Sequence, residues 1–119
     1  MNNSFLLKLL FIMLNISLIK SILGEAANKK YKVEILYKPK YPKVGYKRGN
    51  VIRRVCEPYE IKSKYFFGRC NDPEPISIRK FILSRILDIS IIEETFRPIW
   101  PIKIRKPSKK MDLEIYYQR

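Results

Sequence analysis

The sequence predicts an α+β domain of about five short strands and one helix. Three patterns predict it. Apolar and charged residues alternate at Tyr31–Tyr37 and again at 112–117, the period of a half-buried strand. Turn-rich segments at 38–50 and 71–75 separate runs of β-branched and aromatic residues. Ile78, Phe81, Ile82, Ile86 and Ile89 recur at helical spacing, which predicts a helix over roughly 77–92.

The chain opens with "MNNSFLLKLLFIMLNISLIKSILG". Residues 5–19 are apolar except for Lys8, Asn15 and Ser17, and small residues follow at Ser21, Gly24, Ala26 and Ala27. This layout predicts a secretory signal peptide over 1–24, cleaved after Gly24 or Ala26. The apolar run is short of the ~20 residues that a membrane span needs. A single domain over 25–119 is expected to follow, with no membrane span after cleavage. Two of the 25 basic residues and none of the 11 acidic ones lie in the leader, which leaves a charge of +12. That field draws acidic partners. Outside the cytosol these are expected to be glycans, anionic lipid or proteins rather than nucleic acid. The acidic-partner residues come from the densest basic runs: Lys29, Lys30, Lys32, Lys103, Arg105, Lys106, Lys109 and Lys110.

Along the predicted domain, 31–37 is the first strand. "VIRRVC" (51–56) and "YFF" (65–67) resume strand composition, with the polar "KSK" (62–64) between them. A short strand is expected at 102–105, among Pro98, Pro101 and Pro107, and "DLEIYY" (112–117) closes the chain.

The only two cysteines, Cys56 and Cys70, have their midpoint at Ser63. A hairpin turning there sets them opposite one another, within disulfide reach. Their spacing is not the C-x-x-C redox motif, and two cysteines make a poor metal site. A structural disulfide is expected, with Pro58 marking an irregularity in the ladder. The chain has no histidine, the usual general base and commonest metal ligand. It has no phosphate loop and no nucleophile elbow. No metal and no cofactor are expected.

The order of segments resembles FKBP-type peptidyl-prolyl isomerases, most closely their secretory, endoplasmic-reticulum members. "KVEILYKP" (32–39), "KRGNVI" (47–52), Phe66, "PISI" (75–78), Ile86, Lys103-Ile104 and Pro107-Ser108 register with the family pattern without gaps. The resemblance implies a small bent antiparallel sheet wrapped around one short helix, which it moves to about 86–95, with "PISI" as a strand. It implies a domain lacking part of the family's C-terminal flap. It also implies a monomer in the endoplasmic-reticulum lumen or outside the cell that binds proline-containing polypeptides.

Prolyl isomerisation needs no acid or base, because a dry apolar pocket that favours the twisted amide suffices. The pocket carried over is Phe66, Ile76, Ile86 and Ile89. The family's pocket tyrosine falls on Cys56, its aspartate on Phe67, its tryptophan floor on Ile89, and one pocket valine on Arg85. Whether the chain is an enzyme is therefore open: weak or absent isomerase activity is expected. A non-catalytic basic binding module and a cationic venom or salivary effector are the alternatives.

Overall fold

The computed structural model describes residues 3–40, 51–70, 76–107 and 112–118. One long helix, α1 (Asn3–Lys29), packs across a six-stranded mixed sheet. The strands are β1 (Tyr31–Tyr37), β2 (Ile52–Lys62), β3 (Tyr65–Cys70), β4 (Ser77–Ile82), β5 (Ile86–Thr95) and β6 (Tyr117–Gln118). Their order is β4-β3-β2-β1-β5-β6. All neighbours are antiparallel except β5 and β6. The α+β class predicted from sequence is present. The "PISI" strand begins at Ser77, and the expected strand at 102–105 is reduced to a single bridge between Lys103 and Glu60.

The helix lies elsewhere than expected. Both sequence placements, 77–92 and 86–95, fall on strands, and the helix is the N-terminal segment. Two irregularities create the misleading spacing. A single 3₁₀ turn, Leu83–Arg85, joins β4 to β5 and buries Leu83. A bulge then shifts the β1–β5 register: Tyr37 pairs with Ile86, and Leu36 pairs with Asp88. The extra residue, Leu87, turns outward, so the inward positions become Ile86, Ile89 and Ile91. A strand carrying one bulge shows a three-residue step that imitates a helix.

Helix α1 ends where Lys30 takes a left-handed conformation (φ 61°), a common helix stop. The chain then enters β1 directly, and the Phe96 N–H donates to the Lys30 carbonyl at the far end of β5. Helix residues Ile19, Ile22, Leu23 and Ala26 share one core with Val33, Ile35, Phe66, Ile89 and Ile91. The helix is continuous through Gly24 and Ala26, the points of expected cleavage. A Cβ on Gly24 would lie 2.5 Å from the Arg105 carbonyl oxygen and 3.2 Å from Pro107. Gly24 thus lets segment 105–107 lie directly against the helix.

The β2–β3 hairpin turns at Ser63-Lys64, with Ser63 at φ 56°. Cys56 faces Cys70 in the ladder, their Cα atoms 4.4 Å apart, and a disulfide joins them. Pro58 pairs with Gly68, but Glu60 pairs with Phe67, so Tyr59 is an extra residue in β2. This is the irregularity that Pro58 forecast. Gly68 is also required: a Cβ there would meet the Phe66 ring at 2.9 Å and the Cys56 Cβ at 3.0 Å.

Candidate binding cleft

Strand alternation divides the cystine hairpin into two faces. Cys56, Phe66 and Cys70 point toward α1 and are buried. Glu57, Phe67 and Arg69 point away from it. On β4, the register places Ile78 beside Arg69 and Lys80 beside Phe67 on this outer face. The bulge adds Tyr59 to the same side.

Tyr59 organises that side. Its hydroxyl donates to Glu57 Oε1 at 2.9 Å and accepts the Ile99 N–H at 3.2 Å. Its carbonyl accepts the Lys103 N–H at 2.6 Å. A carbonyl in a regular ladder is occupied by the neighbouring strand. The bulge, and the end of the β1 pairing at Cys56, leave this one free for segment 96–104. Phe96 and Trp100 pack edge-on against the Tyr59 ring, with centroids 5.7 and 5.2 Å away. Glu57 is buried, and its Oε2 accepts from Arg69 Nη1 at 3.0 Å. Its two oxygens are thus held by two different donors, which offsets the loss of water around a buried carboxylate. Burial pushes the Tyr59 hydroxyl above its ordinary pKa.

These contacts hold open a cleft of about 350 Å³ lined by Tyr59, Glu60, Phe67, Ile78, Trp100, Pro101 and Lys103. Five of the seven lining side chains are apolar or aromatic. Trp100, the only tryptophan of the chain, is 43 % exposed at the opening. Lys103 and Glu60 form the polar part of the lining. Exposed Lys62, Lys64 and Lys80 lie on the neighbouring strands and turn, and the Lys80 ammonium sits 4.6 Å from the Tyr65 ring centroid.

The residues of the expected proline pocket separate. Phe66, Ile86 and Ile89 are core residues under α1, whereas Ile76 stands 50 % exposed just before β4. Arg85, carried over to a pocket position, is tied to backbone: its Nε and Nη2 donate to the Lys38 and Pro39 carbonyls at 2.7 and 3.2 Å.

The expected acidic-partner residues also separate. Lys29 pairs with Glu25 at 3.0 Å and with the Tyr117 hydroxyl at 2.9 Å, and these partners raise its pKa, Tyr117 first. It lines a second, polar cleft of about 230 Å³ with Tyr31, Glu93, Glu114 and Tyr117. Lys32 pairs with Glu94 at 2.7 Å. Lys30, Lys103, Arg105 and Lys106 are exposed. Lys109 and Lys110 lie outside the described residues. Among the described residues, no group of three or more His, Cys, Asp or Glu is placed to hold a metal ion.

Tyr59, Phe67, Ile78 and Trp100 were not selected by sequence reasoning. One signal pointed to them: a lone tryptophan between two prolines in "PIWP" (98–101), a rigid context in which an aromatic ring is easily left exposed. Comparison with known proteins adds no assignment: no family model, no curated protein and no solved structure matches the chain.

Proposed function

We propose that this chain is a non-catalytic, basic binding module that takes an acidic, proline-containing polypeptide into the outer-face cleft. The observation that carries this reading is the half-exposed Trp100 beside Tyr59, Phe67, Ile78 and Pro101. Extended proline-bearing segments dock in aromatic-lined grooves because their backbone is already ordered. The surrounding charge supplies the second half of the preference. The chain carries +14 overall, which steers acidic segments toward it. The cystine is compatible with an oxidising compartment, so the partner is sought in the secretory pathway or outside the cell. The isomerase expectation draws less support, because Phe66, Ile86 and Ile89 are covered by α1 and Ile76 stands apart from them.

The sole tryptophan makes the test direct. Titration with a peptide holding prolines between glutamates should shift Trp100 emission to shorter wavelength and raise it. Binding should weaken by about tenfold or more in Phe67→Ala and fall with added salt. The same peptide with its glutamates replaced by glutamine should bind more weakly. Unchanged emission at every peptide concentration would end the proposal. Acceleration of proline isomerisation above the buffer rate would replace it with the enzymatic reading.

A further inference from the structure

The two edges of the sheet are finished differently. β6 is two residues long, and its Gln118 amide donates to Glu34 and Ser90 at 3.1 and 2.7 Å. Such shortness blunts an edge. β4, the other edge, runs six residues with no proline, no bulge and, among the described residues, no further neighbour. The Leu83 N–H donates to the Lys64 carbonyl at 2.9 Å. Counting back in twos along the unshifted β3–β4 register, Phe81, Arg79 and Ser77 bond to β3. The N–H and C=O groups of Ile78 and Lys80 therefore point away from the sheet. The Ile82 N–H shares their direction and donates to the Tyr37 hydroxyl at 3.0 Å, which closes that end. Lysine is a usual guard of an open edge, but the Lys80 ammonium leans back over the Tyr65 ring of β3. Among the described residues, Arg79 Nε is the one buried side-chain nitrogen or oxygen without a hydrogen-bond partner.

We infer that β4 is a docking edge on which an acidic, extended segment of a partner polypeptide adds as a seventh strand. The donors and acceptors of Ile78 and Lys80 suit a backbone in extended form, which returns an acceptor and a donor to each residue. The neighbouring charges choose the segment. Arg79 and Lys80 sit side by side on the edge strand, and a carboxylate across from Arg79 supplies an acceptor to a guanidinium whose Nε has none. Opposite charges across a ladder favour pairing, and like charges directly opposite disfavour it. A second copy of this chain is the poorer occupant for that reason, since two β4 strands edge to edge crowd Arg79 and Lys80 of both copies together. The edge is a different site from the outer-face cleft. It is built of backbone groups at the rim of the sheet and calls for neither proline nor an aromatic contact.

The test uses the full chain and a short peptide of alternating threonine and glutamate, free of proline and aromatic residues. Amide exchange at Ile78 and Lys80 should slow by about tenfold or more with saturating peptide. Arg79 and Phe81, already bonded to β3, should be unchanged. That alternation is the mark of an added strand. The same peptide with glutamine for glutamate should bind more weakly. Lys80→Pro removes one outward N–H at a position where an edge strand tolerates proline, so it should keep its melting temperature and bind about tenfold more weakly or worse. If Lys80→Pro melts early, a peptide N-methylated at two adjacent central residues takes its place, with the same loss expected. The inference is overturned if Ile78 and Lys80 gain no protection, or if Arg79 and Phe81 gain as much. Equal binding by the glutamine peptide, by folded Lys80→Pro or by the N-methylated peptide also overturns it. So does protection of Ile78 and Lys80 that rises with protein concentration alone, which would make a second copy the occupant.

Discussion

The two faces of the sheet are built on opposite terms. The inner face is closed: α1 covers it, and its side chains are aliphatic, aromatic or cystine sulfur. The outer face around the hairpin is open, and a polar network of Glu57, Tyr59 and Arg69 holds its aromatic groups apart. Close packing stabilises the first. The second gives up burial of Trp100 and Ile78 and retains a shaped, apolar opening. On the proposed reading, stability and recognition fall on opposite sides of the same strands, and variants on each side should separate them.

The largest effect is expected on the inner face. Leu23 is wholly buried, and Leu23→Ala should destabilise by about 4 kcal/mol through lost burial and the cavity left behind. Denaturant unfolding measures this, and peptide binding by the remaining folded protein should be unchanged. Next is the cystine, which lies on the inner side of the hairpin. Serine at both Cys56 and Cys70 should lower stability by about 3 kcal/mol, since the closed ring restricts the unfolded chain. At temperatures where the variant is folded, the cleft should still bind.

A third variant crosses between the faces. Glu57→Gln removes the charge that Arg69 faces and weakens the bond to Tyr59. It should cost about 2 kcal/mol in stability. Because Tyr59 frames the cleft, it should also weaken binding, the one loss that couples the two properties. Equal binding would show that Trp100 is held without the Glu57 network. The smallest effect is expected at alkaline pH. Folding raises the Tyr59 pKa above its unfolded value near 10, so the folded state holds the proton more tightly. That stability is present in full below the unfolded value and is lost as pH rises through the folded one. A melting temperature that falls more steeply above pH ~10 than that of Tyr59→Phe would show it.

Much of the fold was legible from residues alone. β1, the hairpin, the Cys56–Cys70 disulfide and the irregularity at Pro58 follow from alternation and spacing, because those signals act locally. The helix was misplaced because tertiary pairing introduced a bulge at Leu87, and a bulge turns period two into an apparent period of three to four. The N-terminal helix was hidden for a different reason: an apolar run ending in small residues fits a leader and a buried helix equally well. The cleft was not legible. Its lining comes from β2, β3, β4 and the segment after β5, and only the register between them and the carbonyl freed at Tyr59 bring these together.

Chemical-shift mapping tests the central claim most directly. The amide and side-chain signals of the labelled protein are followed while the acidic proline-bearing peptide is added. Perturbations are expected at Tyr59, Phe67, Ile78, Trp100 and Lys103, with Phe66, Ile86 and Ile89 unmoved. Perturbations centred on Phe66, Ile86 and Ile89 would contradict the account and place the site beneath the helix.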